Sequence, residues 1–365
     1  MIMHQMHISK PTMIKPPKTT RDGISTRELA KLANVNQSTV SRSLNGDPRI
    51  HPDRACEIRK LAQKYGYRPK PLRSRKTNAI GLLMPSTDAN QPDHPFVNRV
   101  LLLVEQALAQ RGMHIHVAFT PRTSENSDAT PMNLPGMILE NRVDGILLAG
   151  HPDQAIVPRI QQYDLPIVGI NDSADRLGIP TIRLDARQAV IDVITRLHDL
   201  GHRRIALATH LIQYTTNRMR HEAYQSAMRQ LNLNVDDQLI LADLPFGLEG
   251  GAKAVNQLLS LEKPPTAMLM GNDWMAMGAM QALTQRGLSV PEDVSIVGHD
   301  DLWFCSDPTL NLSSIQRDES ELVKQAIEML IQQIQNDEKS TDTTPQERFV
   351  PAHVIWRDSV AQAKQ

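Results

Sequence analysis

Between residues 25 and 45 apolar side chains recur at helical spacing in two short runs. Leu29, Ala30 and Ala33 form the inward stripe of a first helix over Thr26–Ala33. Val40 and Leu44, four apart, do the same for a second helix that starts near Asn36 or Gln37. Ser25 stands at capping position with Glu28 three residues on. Asn34 tolerates the left-handed backbone that a tight turn between the helices requires, and Val35 plugs that turn. After the turn-forming Asn45-Gly46-Asp47-Pro48, Pro52 suits a first helical turn. Ile58, Leu61, Ala62 and Tyr65 continue a third helix, and Gly66 ends it.

From Ala79 the pattern changes to short aliphatic runs separated by amphipathic stretches. Strands are expected at Ala79–Met84, Met113–Ala118, Val143–Leu148 and Pro166–Ile170, with a helix from about Phe96 to Arg111. A second series follows at Arg204–Ala208, Leu239–Ala242, Ala267–Met270 and Val294–Val297. Alternation of this kind predicts parallel, doubly wound sheets, and two series predict two lobes with a ligand cleft outside the carboxyl ends of the strands. The fold class is therefore a small all-α helix-turn-helix head on an α/β body of two doubly wound parallel-sheet lobes. The boundaries read as a disordered arm over 1–20, the head over 21–68, a hinge or linker over 69–78 and the body over 79–365.

Charge sharpens this division. Residues 1–78 carry 17 Lys and Arg against 5 Asp and Glu, while the rest carry 23 against 35. A basic head on an acidic body points to a polyanionic partner for the head alone. Cys56 and Cys305 are too far apart in sequence for a disulfide framework or a metal pattern, and read as buried free thiols in a reducing cytoplasm. The polar, Lys- and Pro-containing start lacks the apolar run of an export signal, and no later stretch is long and apolar enough to span a membrane.

On the second helix Gln37, Ser38, Ser41 and Arg42 fall opposite the apolar stripe. That is the equipment of a major-groove reader. Arginine can bond guanine bidentately, glutamine can do the same for adenine, and hydroxyls such as Thr39 and Ser41 suit phosphates. A small three-helix domain that binds protein is the alternative, and the placement of the polar set argues against it.

The motif residues Ser25-Thr26-x-Glu28-Leu29-Ala30, Val35, Thr39-Val40-Ser41-Arg42-x-Leu44-Asn45 and Tyr65-Gly66-Tyr67-Arg68-Pro69 resemble the LacI/GalR family of bacterial transcriptional regulators. The resemblance continues through Leu200–Ile205, Asn272-Asp273-x-Met275-Ala276, Arg286–Ser295, Gly298-His299-Asp300-Asp301 and Leu312–Ile315, the last resembling a strand that returns across the lobes. In Gly298–Asp301, His299 replaces an aromatic residue. The likeness implies a periplasmic-binding-protein-like body and dimers, often paired into tetramers, on a pseudo-palindromic operator. It also implies control by a small effector, a sugar or sugar derivative. Thr26 and Asn45 would join the DNA contacts. Arg220 falls at the effector-clamping position, Asn272 and Asp300 at effector-hydroxyl positions, and Asn171 and Arg317 at flanking ones; capping of helices and loops at strand ends is the alternative for Asn272 and Asp300. Leu184 and Leu244 stand where many members stack an aromatic on the sugar ring, and the loop from Pro85 to Phe96 would form part of the first-lobe wall.

The linker departs from the family. Arg68-Pro69-Lys70-Pro71-Leu72-Arg73-Ser74-Arg75-Lys76 is short and lacks the family's Asn and Ala. It reads either as a helix of one turn with Leu72 as a minor-groove wedge, or as a flexible basic strap gripping phosphates through Arg73, Arg75 and Lys76. An enzyme is disfavoured, since no metal-binding HExxH, P-loop, serine elbow or dinucleotide fingerprint occurs. No metal or cofactor is expected. A transport-type binding protein would share the body, but not the basic head.

Overall fold

The computed structural model describes residues 24–44, 47, 49–65, 67, 76–85, 95–120, 134–150, 156–171, 178–210, 212, 214–335 and 347–364, except the side chains of residues 63, 85, 95 and 171. The chain divides into two compact units, Met1–Arg75 and Lys76–Gln365. Residues 1–20 and most of the linker, with Leu72 and Arg73, lie outside the described residues, as does Asn45.

Among the described residues the first unit holds three helices, α1 (Thr26–Leu32), α2 (Gln37–Leu44) and α3 (Pro52–Lys64). A reciprocal capping box starts α1: the Glu28 amide donates to Ser25 Oγ, and Ser25 N donates to the Glu28 carboxylate at 2.8 Å. Asn34 has φ of 50° in the turn. Ile24, Leu29, Ala30, Ala33, Val40, Ile58 and Ala62 close a small core, with Val35, Leu44 and Tyr65 packed against it. Arg54 of α3 donates to the Ala33 carbonyl at 3.0 Å, which ties the end of α1 to the third helix.

The second unit holds two six-stranded sheets. The first lobe comprises β1 (Ala79–Pro85), α4 (Pro95–Ala109), β2 (His114–Thr120), α5 (Gly136–Leu139), β3 (Gly145–Gly150), α6 (Ile156–Gln161), β4 (Ile167–Asn171) and β5 (Thr181–Asp185). The second comprises α7 (Arg187–Asp199), β6 (Ile205–Ala208), α8 (Thr215–Gln230), β7 (Ile240–Leu241), α9 (Leu248–Leu259), β8 (Ala267–Met270), α10 (Asp273–Thr284), β9 (Ser295–Asp300) and β10 (Ser313–Gln316). The chain then returns through α11 (Glu319–Gln335) and β11 (Glu347–Pro351) to the first lobe and through β12 (His353–Ile355) to the second. Strand order is β11-β5-β4-β3-β1-β2 in one sheet and β12-β10-β9-β8-β6-β7 in the other. Described pairings are parallel except β10 with β12.

Each sheet is buried on both faces, which is why its central strands are continuous apolar runs. One face of the first sheet packs α4 and α11 through Val100, Val104, Ile327 and Leu330, and the other packs α5 and α6. In the second, α7 and α8 cover one face and α9 and α10 the other.

Three crossovers join the lobes, at Asp185–Arg187, Gln316–Glu319 and Pro351–His353. Two are laced together, since the Ala352 amide donates to the Asp185 carbonyl at 2.9 Å. Thr77 and Asn78 bond the Asp144 carboxylate through both amides and the Thr77 hydroxyl, at 2.8–2.9 Å, and so fasten the entry to the body.

Some expectations need correction. Cys305 is buried as anticipated, but Cys56 is exposed, because α3 turns that position outward. Leu312–Ile315 belongs to the second-lobe sheet; the return across the lobes is made by the residues immediately after β10.

Candidate functional site

Two separate places gather functional side chains. The first is the outer face of α2. Gln37, Ser38, Ser41 and Arg42 are exposed there, while Val40 and Ser43 point inward. Ser43 bonds back to the Thr39 carbonyl at 2.7 Å, so its hydroxyl is consumed within the helix. Thr39 is half-buried. Thr26, at the start of α1, shares a 2.7 Å hydrogen bond with the Tyr67 hydroxyl, which pins the residues after α3 against the first helix. The expected base-reading set is thus displayed on the outer face of one helix.

The second place lies at the carboxyl ends of the second-lobe strands, beneath the crossovers. One pocket is lined by Thr209, Asn217, Arg220, Gly271, His299 and Ile315, among others. A neighbouring one is lined by Leu184, Ala186, Arg220, His299, Arg317 and Ala352, which brings all three crossovers to its wall. Arg220 and His299 face both. Helix α8 carries Arg220 and, one turn earlier, Asn217. Arg220 Nη1 donates to the Gly271 carbonyl at 2.8 Å and Nη2 to Asn217 Oδ1. Asn217 in turn donates to the His210 carbonyl at 3.1 Å. The guanidinium is therefore held by the strand end and by its own helix.

Asp300 ends β9 with φ of 118°. Its Oδ1 is 2.8 Å from His299 Nδ1 and 3.2 Å from Arg317 Nε. Burial pushes this carboxyl up, but Arg317, His299 and Arg220 outweigh burial and hold it below the usual carboxylate range. Arg317 sits in the second crossover. It pairs with Glu319 at 2.8 Å and lies 5.2 Å over the Phe96 ring, so it links the end of β9 in one lobe to the starts of α11 and α4 in the other. Burial raises the Glu319 carboxyl, against the pull of Arg317.

Arg220, Asp300 and Arg317 are brought together as the sequence suggested. Asn272 lies nearby, buried, but its Oδ1 caps α10 by accepting from the Met275 amide at 2.8 Å. Asn171 ends β4, and its side chain lies outside the described residues. So does most of the loop between Pro85 and Phe96. Leu184 does line the cleft, whereas Leu244 is buried in the second-lobe core. Sequence reasoning left out Asn217 and Thr209. The three-residue spacing of Asn217 and Arg220 on one helix face was the available signal for the first. Among the described residues no cluster of His, Cys, Asp and Glu has the makings of a metal site.

Comparison with known proteins bears on both places. Residues 25–70 match the family model described as bacterial regulatory proteins, lacI family, and residues 194–360 match a periplasmic binding protein-like domain. The "Probable HTH-type transcriptional repressor ExuR" of Bacillus subtilis (strain 168) is 30% identical over 298 residues, covering 80% of this chain and 86% of the relative. Among solved structures, a transcriptional regulator CelR–cellobiose complex superposes with a TM-score of 0.66 at 22% identity, covering 92% of this chain and 99% of the other. The lac repressor dimer bound to operator and the anti-inducer ONPF gives 0.65 at 21% identity, covering 93% and 99%.

Proposed function

Because the chain belongs to the LacI family of bacterial regulatory proteins, we propose that it is a sequence-specific transcriptional repressor whose operator affinity is set by a small carbohydrate-type metabolite bound between its two α/β lobes. The observation that carries the DNA-binding half is the exposed polar face of α2 on a capped helix-turn-helix. Arg42 and Gln37 read base edges, Ser38 assists, and Thr26, Thr39, Ser41 and Asn45 position the helix on phosphates. Leu72 and Arg73 extend the contact from the linker. The boundaries proposed are 21–68 for the DNA-binding domain, 69–78 for the linker and 79–365 for the effector-binding and dimerisation body.

Arg220, Asp300 and Arg317 form the polar core of the effector site, with Asn171 and Asn272 at its margin. Arginine, aspartate and asparagine together offer the mixed donors and acceptors that a hydroxylated ligand needs. The protein acts as a homodimer in the bacterial cytoplasm, with each head on one half-site. It performs no catalysis: the cleft's polar groups bind and release. An effector that moves a 1:99 equilibrium between lobe arrangements to 99:1 must favour one arrangement by about 10⁴-fold. Similarity supports this reading, since the lac repressor structure holds operator and the CelR structure holds cellobiose.

The test is selection of binding sites from random duplexes with the full chain. The unaltered protein enriches a pseudo-palindrome with half-sites on the order of 34–36 Å or a multiple apart. Arg42→Ala loses discrimination at the guanine it reads and keeps salt-sensitive non-specific binding. Full sequence discrimination in Arg42→Ala would remove α2 from the role of recognition helix.

A further inference from the structure

Within the cleft most polar valences of the second lobe are already filled. Arg220 is spent on Gly271 and Asn217, Asn217 on His210, Thr209 Oγ1 on the His210 carbonyl, and Asn272 Oδ1 on its helix. His299 differs. Its side chain is 6% exposed, it lines both pockets, and among the described residues its Nε2 has no hydrogen-bond partner.

The ring's protonation follows from its neighbours. Nδ1 lies 2.8 Å from Asp300 Oδ1. An ionised carboxylate only accepts, so Nδ1 carries the hydrogen and Nε2 holds a lone pair. Burial, then the charge of Arg220, drive the ring's affinity for a second proton down to about 4. Arg317 adds to the same effect, while Asp300 opposes it. At neutral pH the ring is a fixed acceptor that no described residue satisfies. A buried acceptor left unpaired is costly, so such a group points to a donor that arrives from outside.

We propose that His299 Nε2 receives a hydrogen bond from a hydroxyl of the effector, which makes His299 a specificity-determining residue of the cleft. The ligand atom at this point must bring its own hydrogen. A polyol hydroxyl satisfies that, and an ionised carboxylate or phosphate oxygen does not, having only lone pairs to set against a lone pair. Asp300 acts here through His299: it fixes the tautomer and the ring plane, and is a positioning residue for this contact. The proposal rests on the reading of the cleft as the effector site.

The experiment uses the full chain and a panel of neutral pentoses, hexoses, disaccharides and nucleosides, with binding measured by titration calorimetry at pH 7.5. The tightest ligand is then retitrated as its set of monodeoxy analogues. One analogue is expected to bind the unaltered protein at least about tenfold more weakly than the parent. That same analogue should bind His299→Phe as well as the parent does, because the lost hydroxyl no longer has a partner. His299→Gln, which retains an acceptor, should recover part of the discrimination, and the unliganded melting temperature of both variants checks that they fold. Equal losses for every analogue in the unaltered protein and in His299→Phe would overturn the role of His299 while leaving the cleft reading intact. If no member of the panel binds the unaltered protein, the cleft reading falls, and this proposal with it.

Discussion

Asp273 opens α10 fully buried, beside the cleft but turned away from it. Its Oδ1 meets the Ser314 hydroxyl at 2.6 Å, and its Oδ2 accepts from the Leu302 amide at 2.7 Å. Burial, then the charge of Asp300, push the carboxyl up from 3.8 to about 7, and the hydrogen bonds only partly oppose this. Between those values the folded chain holds a proton that the unfolded chain has released, so this group's contribution to stability is present below the lower value and disappears as pH rises through the upper one. His299 has the opposite sign. Its lowered affinity for a proton makes its contribution grow as pH rises from about 4 to 6.5. Both effects act between pH 5 and pH 8, so urea denaturation at those two values is compared with and without the Asp273 carboxyl. Asp273→Asn should lose less stability than the unaltered chain on going from the lower to the higher pH, and an equal change in both would show that Asp273 titrates normally. At this scale the sequence was a partial guide. Arg220, Asp300 and Arg317 could be placed from their motif positions. The capping role of Asn272 was one of the two readings its place at a strand end offered, whereas the open valence of His299 depends on hydrogen-bond partners that residue spacing does not reveal.

Helices α9 and α10 cross at a distance only glycine allows. A β-carbon on Gly251 would lie 1.9 Å from the Met275 carbonyl oxygen, and one on Gly278 would lie 2.1 Å from that of Leu248. Both obstacles are backbone, so relief requires the helices to part. Gly278→Ala should therefore destabilise the chain by about 1–3 kcal/mol despite alanine's better helix propensity. Gly136→Ala is the control. It meets only the end of the Glu140 side chain at 3.5 Å, and should change the urea midpoint little. Elements of the body were legible where they are uninterrupted aliphatic runs. Strands β1, β3, β6, β8 and β9 are aliphatic runs covered on both faces, and pattern alone found them. Strands β5 and β11 escaped because each carries a charge on the ladder: Arg183, 3% exposed, pairs with Glu347 at 3.0 Å. Strand β7, two residues long, falls inside the expected apolar run Leu239–Ala242. The head was read almost residue by residue, because capping box, turn asparagine and helical stripe all agreed.

For the molecule as a whole, the described surface leaves several large apolar side chains in solvent. Phe119 is 54% exposed on β2, the outermost strand of the first-lobe sheet, and Trp303 is 83% exposed in the second lobe. Leu102 on α4 and Val117 on β2 are exposed as well. An edge strand carrying an exposed phenylalanine is a natural place for a second copy to pack. Phe119→Asp should shift the protein toward monomer in analytical ultracentrifugation and weaken operator binding at least about tenfold, since a lone head engages one half-site. A dimer of unchanged stability would move the interface elsewhere. The two-lobe plan was visible from the doubled strand series, and the return after β10 was signalled a few residues early by the family-like Leu312–Ile315, whereas the crossover at 351–353 left no local trace.

Those crossovers bear on how the protein is made. The first-lobe sheet lacks its outer strand until β11 emerges, and the second lacks β12 until a few residues later. The three-helix head uses only residues up to Tyr67 for its described core. During translation the head can fold long before either lobe can close, because domains fold as units once their sequence is available. A chain cut short before β11 would carry the helix-turn-helix head but have neither sheet complete, and hence no finished cleft to govern it.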